Sequence, residues 1–320
     1  MVYFNFFQLS IFFLEAALLF FLFFLFFNII SQIAGADVGE NVTIKSELEI
    51  GNVAPIIQNI DIEGGTINLN PNTTKLVNCS ALVVDYNGDS TIQNVSARLF
   101  DNSFTYASPD DNNSHYTNNN CSLDISYGDE NTVLASCLFN VWYYANAGTW
   151  NCSVFVLDLS NISVSESNTT QVLPLLALSV PSFIDYGVVN ATEVSNENIT
   201  NVTNVGNVMF NLSLTGYSYS LNDNLAMNCT LGAIKNISVE HEKYNLTLSN
   251  NSVLTLAQAD ATYTNLSSTT AVGKFNLDYR TNDTIQDAIN ATYWRIYVPL
   301  GVAGSCQGNI IFGAVQSGAS

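Results

Sequence analysis

The chain reads as all-β: two tandem β-sandwiches preceded by an N-terminal hydrophobic helix, which is either a signal peptide or an anchor. Three observations predict this. Alternating apolar and polar segments recur from Asp37 onward, separated by Asn, Gly, Asp and Pro, and no amphipathic helical pattern interrupts them. Six cysteines, an even count without CxxC spacing, read as disulfides in an oxidising compartment rather than as zinc or redox chemistry. The third is the pattern of Asn-x-Ser/Thr triplets, in which the middle residue is repeatedly apolar. A length of 320 residues suits two such domains.

The run from Ile11 to Ile30 is Phe-rich and carries a single acid, Glu15. Twenty helical residues at about 1.5 Å each span about 30 Å, enough to cross a bilayer. Small residues at Ala34 and Ala36 fit the cleavage pattern of a signal peptidase, so a cut before Asp37 is expected. No Lys or Arg precedes the run. A retained anchor through residues 11–30 is therefore the second reading, since a usual secretory leader has a basic start. Gln8-Leu9-Ser10 supplies a third: it resembles the processing signal of archaeal pilins, whose retained helix builds a filament. Residues 1–36 are thus signal peptide or anchor, and residues 37–53 a lead segment.

The first sandwich is expected over residues 54–172. Its strands are placed near Ile56–Ile62, Thr66–Leu69, Lys75–Val84, Ile92–Phe100, Cys121–Tyr127, Thr132–Tyr144, Trp150–Leu157 and Ile162–Val172, with a polar solvated loop over Ser103–Asn120. The second is expected over residues 173–320. It opens with strands near Leu176–Val180 and Phe183–Val189, followed by an Asn/Thr-rich connection from Asn190 to Asn207. Further strands fall near Val208–Tyr217, Ala226–Leu231, Ile234–Glu240, Tyr244–Leu248, Ser252–Ala257, Gly273–Tyr279, Tyr293–Pro299 and Ile310–Val315. The junction Gln171-Val172-Leu173-Pro174 is too short for a flexible linker.

The chain holds 42 Asn, 31 Ser and 25 Thr. Chance spacing would give about 7 glycosylation triplets, and the sequence holds twenty. They start at Asn41, Asn72, Asn78, Asn94, Asn112, Asn120, Asn151, Asn161, Asn168, Asn190, Asn198, Asn201, Asn211, Asn228, Asn236, Asn245, Asn250, Asn265, Asn282 and Asn290. In thirteen of them the middle residue is Val, Ile, Leu or Cys. On a strand that places the Asn and the Ser or Thr on the solvent face and the middle residue in the core. Phe210 to Thr215 is expected to show this alternation.

Strand phase also pairs the cysteines. A hairpin through Gly128-Asp129-Glu130 sets Leu123 against Ala135 and Cys121 against Cys137 on the inward face. Cys79 and Cys152, each inside Asn-Cys-Ser, then pin one sheet to the other, and Cys229 and Cys306 remain for the second sandwich. The swapped set, Cys79–Cys137 with Cys121–Cys152, stays open.

The stretch from Asn78-Cys79-Ser80 through Asp85-Tyr86-Asn87-Gly88, with Trp142-Tyr143-Tyr144-Ala145, Gly148-Thr149-Trp150-Asn151-Cys152 and Asp158, resembles the immunoglobulin-like or PKD-like sandwiches of archaeal surface proteins. In the second half, Ile184–Val189 and Thr203–Asn207 resemble immunoglobulin-like domains of secreted and ciliary proteins, and the tail from Tyr293 to Gly308 resembles archaeal secreted proteins. The resemblance implies scaffolding or adhesive roles, with other surface proteins or glycans as partners. It supplies no catalytic residues.

Composition narrows the function further. The net charge of −19 comes from having only 8 Lys plus Arg against 27 acids. That excludes the basic stripe that phosphate recognition needs, so no nucleic-acid partner is expected. Two histidines exclude a His-rich metal site and disfavour a histidine-based triad. Asp85, Asn87 and Asp89 offer oxygen ligands at alternating positions that a calcium ion could use, but Asn-Gly at their centre is equally a tight turn. No other cofactor is expected. Asp110-Asp111-Asn112 reads as solvated loop, and His115 and His241 as surface residues. Gly304-Ser305-Cys306-Gln307-Gly308 reads as a disulfide-bearing loop, not a nucleophile elbow. Trp142, Tyr143, Tyr144 and Trp150 could stack on a sugar but suit core packing better. Tyr217 and Tyr219 share a strand face and form a candidate contact patch. The expected function is an exported, N-glycosylated, non-catalytic structural or adhesive protein of the cell surface. A pilin-like filament subunit is the first alternative, and a secreted hydrolase or carbohydrate-binding module the second.

Overall fold

The computed structural model describes residues 44–283 and 288–317. The hydrophobic run 11–30, the cleavage and filament signals and the sequon at Asn41 lie outside the described residues. Among the described residues no helix is long and apolar enough to cross a membrane. Residues 44–51 belong to their own unit and run as exposed irregular chain. From Asn52 onward the chain is one compact unit containing two sets of sheets that share no strand.

The first set is built from β1 (Ile56–Ile62), β2 (Thr66–Ile67), β3 (Thr74–Val84), β4 (Ile92–Asp101), β5 (His115–Asn118), β6 (Ser122–Asp124), β7 (Thr132–Trp142), β8 (Gly148–Asp158) and β9 (Ser163–Val172). One sheet runs β1-β3-β7-β6, the facing sheet β2-β9-β8-β4-β5. All pairs are antiparallel except β2 with β9. Alternation makes the core: along β7, Val133, Ala135, Cys137, Phe139 and Val141 point inward, and along β8 Trp150, Cys152, Val154 and Val156 meet them.

The second set comprises β10 (Leu178–Ser179), β11 (Asn198–Asn204), β12 (Phe210–Tyr217), β13 (Leu225–Gly232), β14 (Asn236–Ser238), β15 (Glu242–Asn245), α1 (Leu256–Thr262), β16 (Thr264–Asn265), β17 (Ala271–Leu277), β18 (Ile289–Ile296), β19 (Val302–Gln307) and β20 (Asn309–Gln316). They form the sheets β10-β11-β18-β15-β16, β17-β12-β20 and β14-β13-β19. One core centres on Phe210, Leu212, Leu214 and Trp294, and a smaller one on Ile237, Ile296 and the Cys229–Cys306 bridge.

Several expectations change here. The Ser103–Asn120 loop contains β5, and His115 is 1% exposed, not a surface residue. Asp111 accepts backbone hydrogen bonds from Asn113, Ser114 and His115, Asp110 meets His115 Nδ1 at 2.7 Å, and Phe100 stacks on the imidazole. The stretch Phe183–Val189 is not a strand; the strand lies in the supposed connection, where β11 pairs along most of β18. Ser252–Ala257 is not a strand either. Thr255 caps α1 in a capping box with Gln258, and β-branched residues give way to Ala259 and Ala261. Gly304–Gly308 is mostly edge strand β19 rather than loop. Phe210–Thr215 does not alternate: Ser213 and Thr215 are buried as well, because the Ser267–Ser268 loop covers the outer face of β12 and Thr215 Oγ1 donates to Ser267 O at 3.1 Å.

Candidate functional site: a groove in the second sandwich

Residue by residue, the structure assigns most of the sequence-predicted candidates to scaffolding. Cys79 is joined to Cys152 and ties β3 to β8 across the first sandwich; Cys121 is joined to Cys137, and Cys229 to Cys306. The registers explain the last two pairs. Leu123 faces Ala135, which brings Cys121 to Cys137, and Cys229 faces Cys306. Each bridge stabilises by roughly 2–4 kcal/mol. No cysteine is free.

At Asp85 both carboxylate oxygens are taken by the turn itself. Oδ1 accepts from Asn87 N at 2.9 Å and Oδ2 from Thr91 Oγ1 at 2.8 Å. Asn87 Oδ1 accepts from Val53 N at 2.6 Å. The side-chain oxygens of Asp85 and Asn87 thus already accept protein hydrogen bonds. Among the described residues no three His, Cys, Asp or Glu side chains gather as a metal site.

Trp150, Tyr144 and Tyr143 are buried and Trp142 is half-buried, as core packing requires. Trp150 Nε1 donates to Asn146 O at 2.8 Å, and Tyr144 packs against Trp142, Tyr143 and Val205. These aromatics and the turn after them form the joint between the two sets of sheets. Asn207 fixes it: its Oδ1 accepts from Leu175 N at 2.6 Å and its Nδ2 donates to Ala145 O at 2.9 Å. Tyr144 Oη donates to Asp283 at 2.6 Å, and the Arg280 guanidinium lies 4.7 Å from the Tyr144 ring centre.

Nineteen of the twenty sequon asparagines fall within the described residues, and none of them is fully buried. The asparagines that are buried, Asn113, Asn204 and Asn207, are not the acceptor residues of sequons. Of the apolar middle residues, Cys79, Val95, Cys121, Cys152, Val202, Leu212, Cys229, Ile237 and Leu266 are buried. Ile162 and Ile199 are exposed and depart from the alternation.

Tyr217 and Tyr219 lead to a site the sequence reading did not assemble. They line a groove of about 840 Å³ in the second set of sheets, together with Val180–Ile184, Tyr186 and residues of edge strands β19 and β20. Phe183 and Tyr219 stand 75% and 68% exposed. Glu242, 2% exposed, is one of the most buried lining residues. Its Oε1 accepts from Tyr186 Oη at 2.9 Å, and its Oε2 has no hydrogen-bond partner. Burial pushes the Glu242 carboxyl up to about 7 and the Tyr186 phenol well above its usual range. The signal for Glu242 was faint. It stands at an inward strand position beside Tyr244, but a charged residue at such a position reads as solvent-facing until the fold is known.

No family model matches the chain, and no curated protein matches it. Three solved structures are similar at low identity. A carbohydrate-binding module of the β-sandwich superfamily is 11% identical, covering 83% of this chain and 99% of that one, with a TM-score of 0.24. A chaperone–tip adhesin complex of CFA/I fimbriae is 11% identical, covering 83% and 84%, with a TM-score of 0.29. The major pilin subunit of Bacillus cereus is 9% identical, covering 84% and 68%, with a TM-score of 0.24. Likenesses of this size establish no shared topology and carry no functional argument.

Proposed function

We propose that this chain is an exported, N-glycosylated protein of the cell surface with a structural or adhesive role and no catalysis. The observation that carries the reading is the sorting of asparagines. The described sequon asparagines are exposed or half-buried, while none of the three buried asparagines is the acceptor residue of a sequon. Glycans require solvent access. Three disulfides and no free thiol suit an oxidising compartment. The resemblance of the first sandwich to archaeal surface domains supplies the finer reading of place.

A non-catalytic role is supported by the groove. Glu242 is the single carboxylate among its described lining residues, whereas glycoside hydrolysis uses a pair. Two of the basic residues, Arg295 and Lys243, are also committed internally. Arg295 donates to Ser195 O at 2.7 Å and to Ser252 O at 2.9 Å, and Lys243 is paired with Asp260 at 2.5 Å. Glycopeptide mapping of protein from its native source tests the reading. Modified asparagines are expected at several exposed sequons such as Asn72, Asn120 and Asn236. A map with every sequon bare would overturn it.

A further inference from the structure

The groove at Tyr186 and Glu242 holds an unfinished hydrogen-bonding site. A carboxyl oxygen buried without a donor costs about 1–3 kcal/mol or more, and folds retain such groups where something else satisfies them. Glu242 Oε2 is in this position, while Oε1 is held by Tyr186. Glu242 is the only ionisable carboxyl, and no Lys, Arg or His stands among the described lining residues. A cation entering the groove therefore meets an acceptor and no repelling charge. At the rim, Phe183 and Tyr219 offer exposed aromatic rings, which attract cations and cover alkyl carbons. The volume, about 840 Å³, is within the range of small-ligand sites.

We propose that this groove binds a primary ammonium group on a small organic body, the ammonium donating to Glu242 Oε2 and its carbons resting on Phe183 and Tyr219. A lysine side chain and an amino sugar share this chemistry. The inference does not rest on export or glycosylation.

Calorimetric titration of the full chain tests it with two ammonium probes, Nα-acetyl-lysine methylamide and glucosamine. Their neutral counterparts, the doubly acetylated lysine amide and N-acetylglucosamine, are the controls. Binding of at least one ammonium probe is expected, with its neutral counterpart at least about tenfold weaker, as for a lost charge-assisted hydrogen bond. The tighter of the two probes identifies the source. Glu242→Gln preserves shape and the acceptor for Tyr186, and is expected to weaken binding by about tenfold or more. Phe183→Ala, at an exposed position that cannot unfold the protein, should weaken it severalfold. Equal binding of the neutral counterparts, unchanged affinity in both variants, or no binding of either ammonium probe at millimolar concentration would each overturn the proposal.

Discussion

At the scale of single residues, the fold buries a few of its charges. Lys243 and Arg295 are both 1% exposed and tie α1 and its flanking loops to β15 and β18. Glu242 is the exception, with half of its carboxyl unpartnered. Burial raises it from 4.5 to about 7, so between these values the folded chain binds a proton that the unfolded chain has released. Its stabilising contribution is complete below about pH 4.5 and is lost as pH rises through about 7. His241 has the opposite sign, since burial lowers it and stability falls as pH drops below 6.5. A comparison of wild type with Glu242→Gln separates the two. Relative to wild type, the variant should gain melting temperature as pH rises from 5 to 8; a pH-independent difference would contradict the burial account. The cysteines give a second prediction. Cys79 faces Cys137 in the β3–β7 register, although each is bonded elsewhere. Cys121→Ser leaves a Cys137 thiol opposite the Cys79–Cys152 bridge, so disulfide mapping should find Cys79–Cys137 as a scrambled product. Recovery of Cys79–Cys152 alone would show that the core holds the two apart.

At the scale of elements, much of the fold was legible. β3, β4, β7 and β8 alternate along most of their length, and period 2 places each near its true bounds. The misses share a cause. β5 and β11 are strands rich in Asn and Thr, so composition argued for loop while tertiary pairing to β4 and β18 decided for strand. The converse error, Phe183–Val189, is an apolar segment without a strand partner, and it borders the groove instead. For the site, Tyr217 and Tyr219 were visible as a patch. Glu242 was not, because its surroundings come from segments far apart in the chain. The joint between the two sets of sheets was legible only as a short linker. Asn207, buried and bonded to both sides, holds it, and Gly206 beside it leaves no room for a Cβ against Leu175 O. Asn207→Ala strands the amide of Leu175 and the carbonyl of Ala145, at a cost of about 2–3 kcal/mol. A clear loss in chemical-denaturation midpoint is expected; an unchanged midpoint would mean that the joint contributes nothing to stability.

At the scale of the whole molecule, a disulfide-stapled β-scaffold carries sequon asparagines over its outer faces and one groove whose buried carboxyl awaits a partner. The central claim is that the protein is exported and glycosylated. The most direct test is the N-terminal sequence and intact mass of the protein taken from its native source. The account predicts a chain that starts at Asp37, has a mass well above the polypeptide value and contains no free thiol. A chain at bare polypeptide mass, starting at Met1 with titratable cysteines, would contradict it.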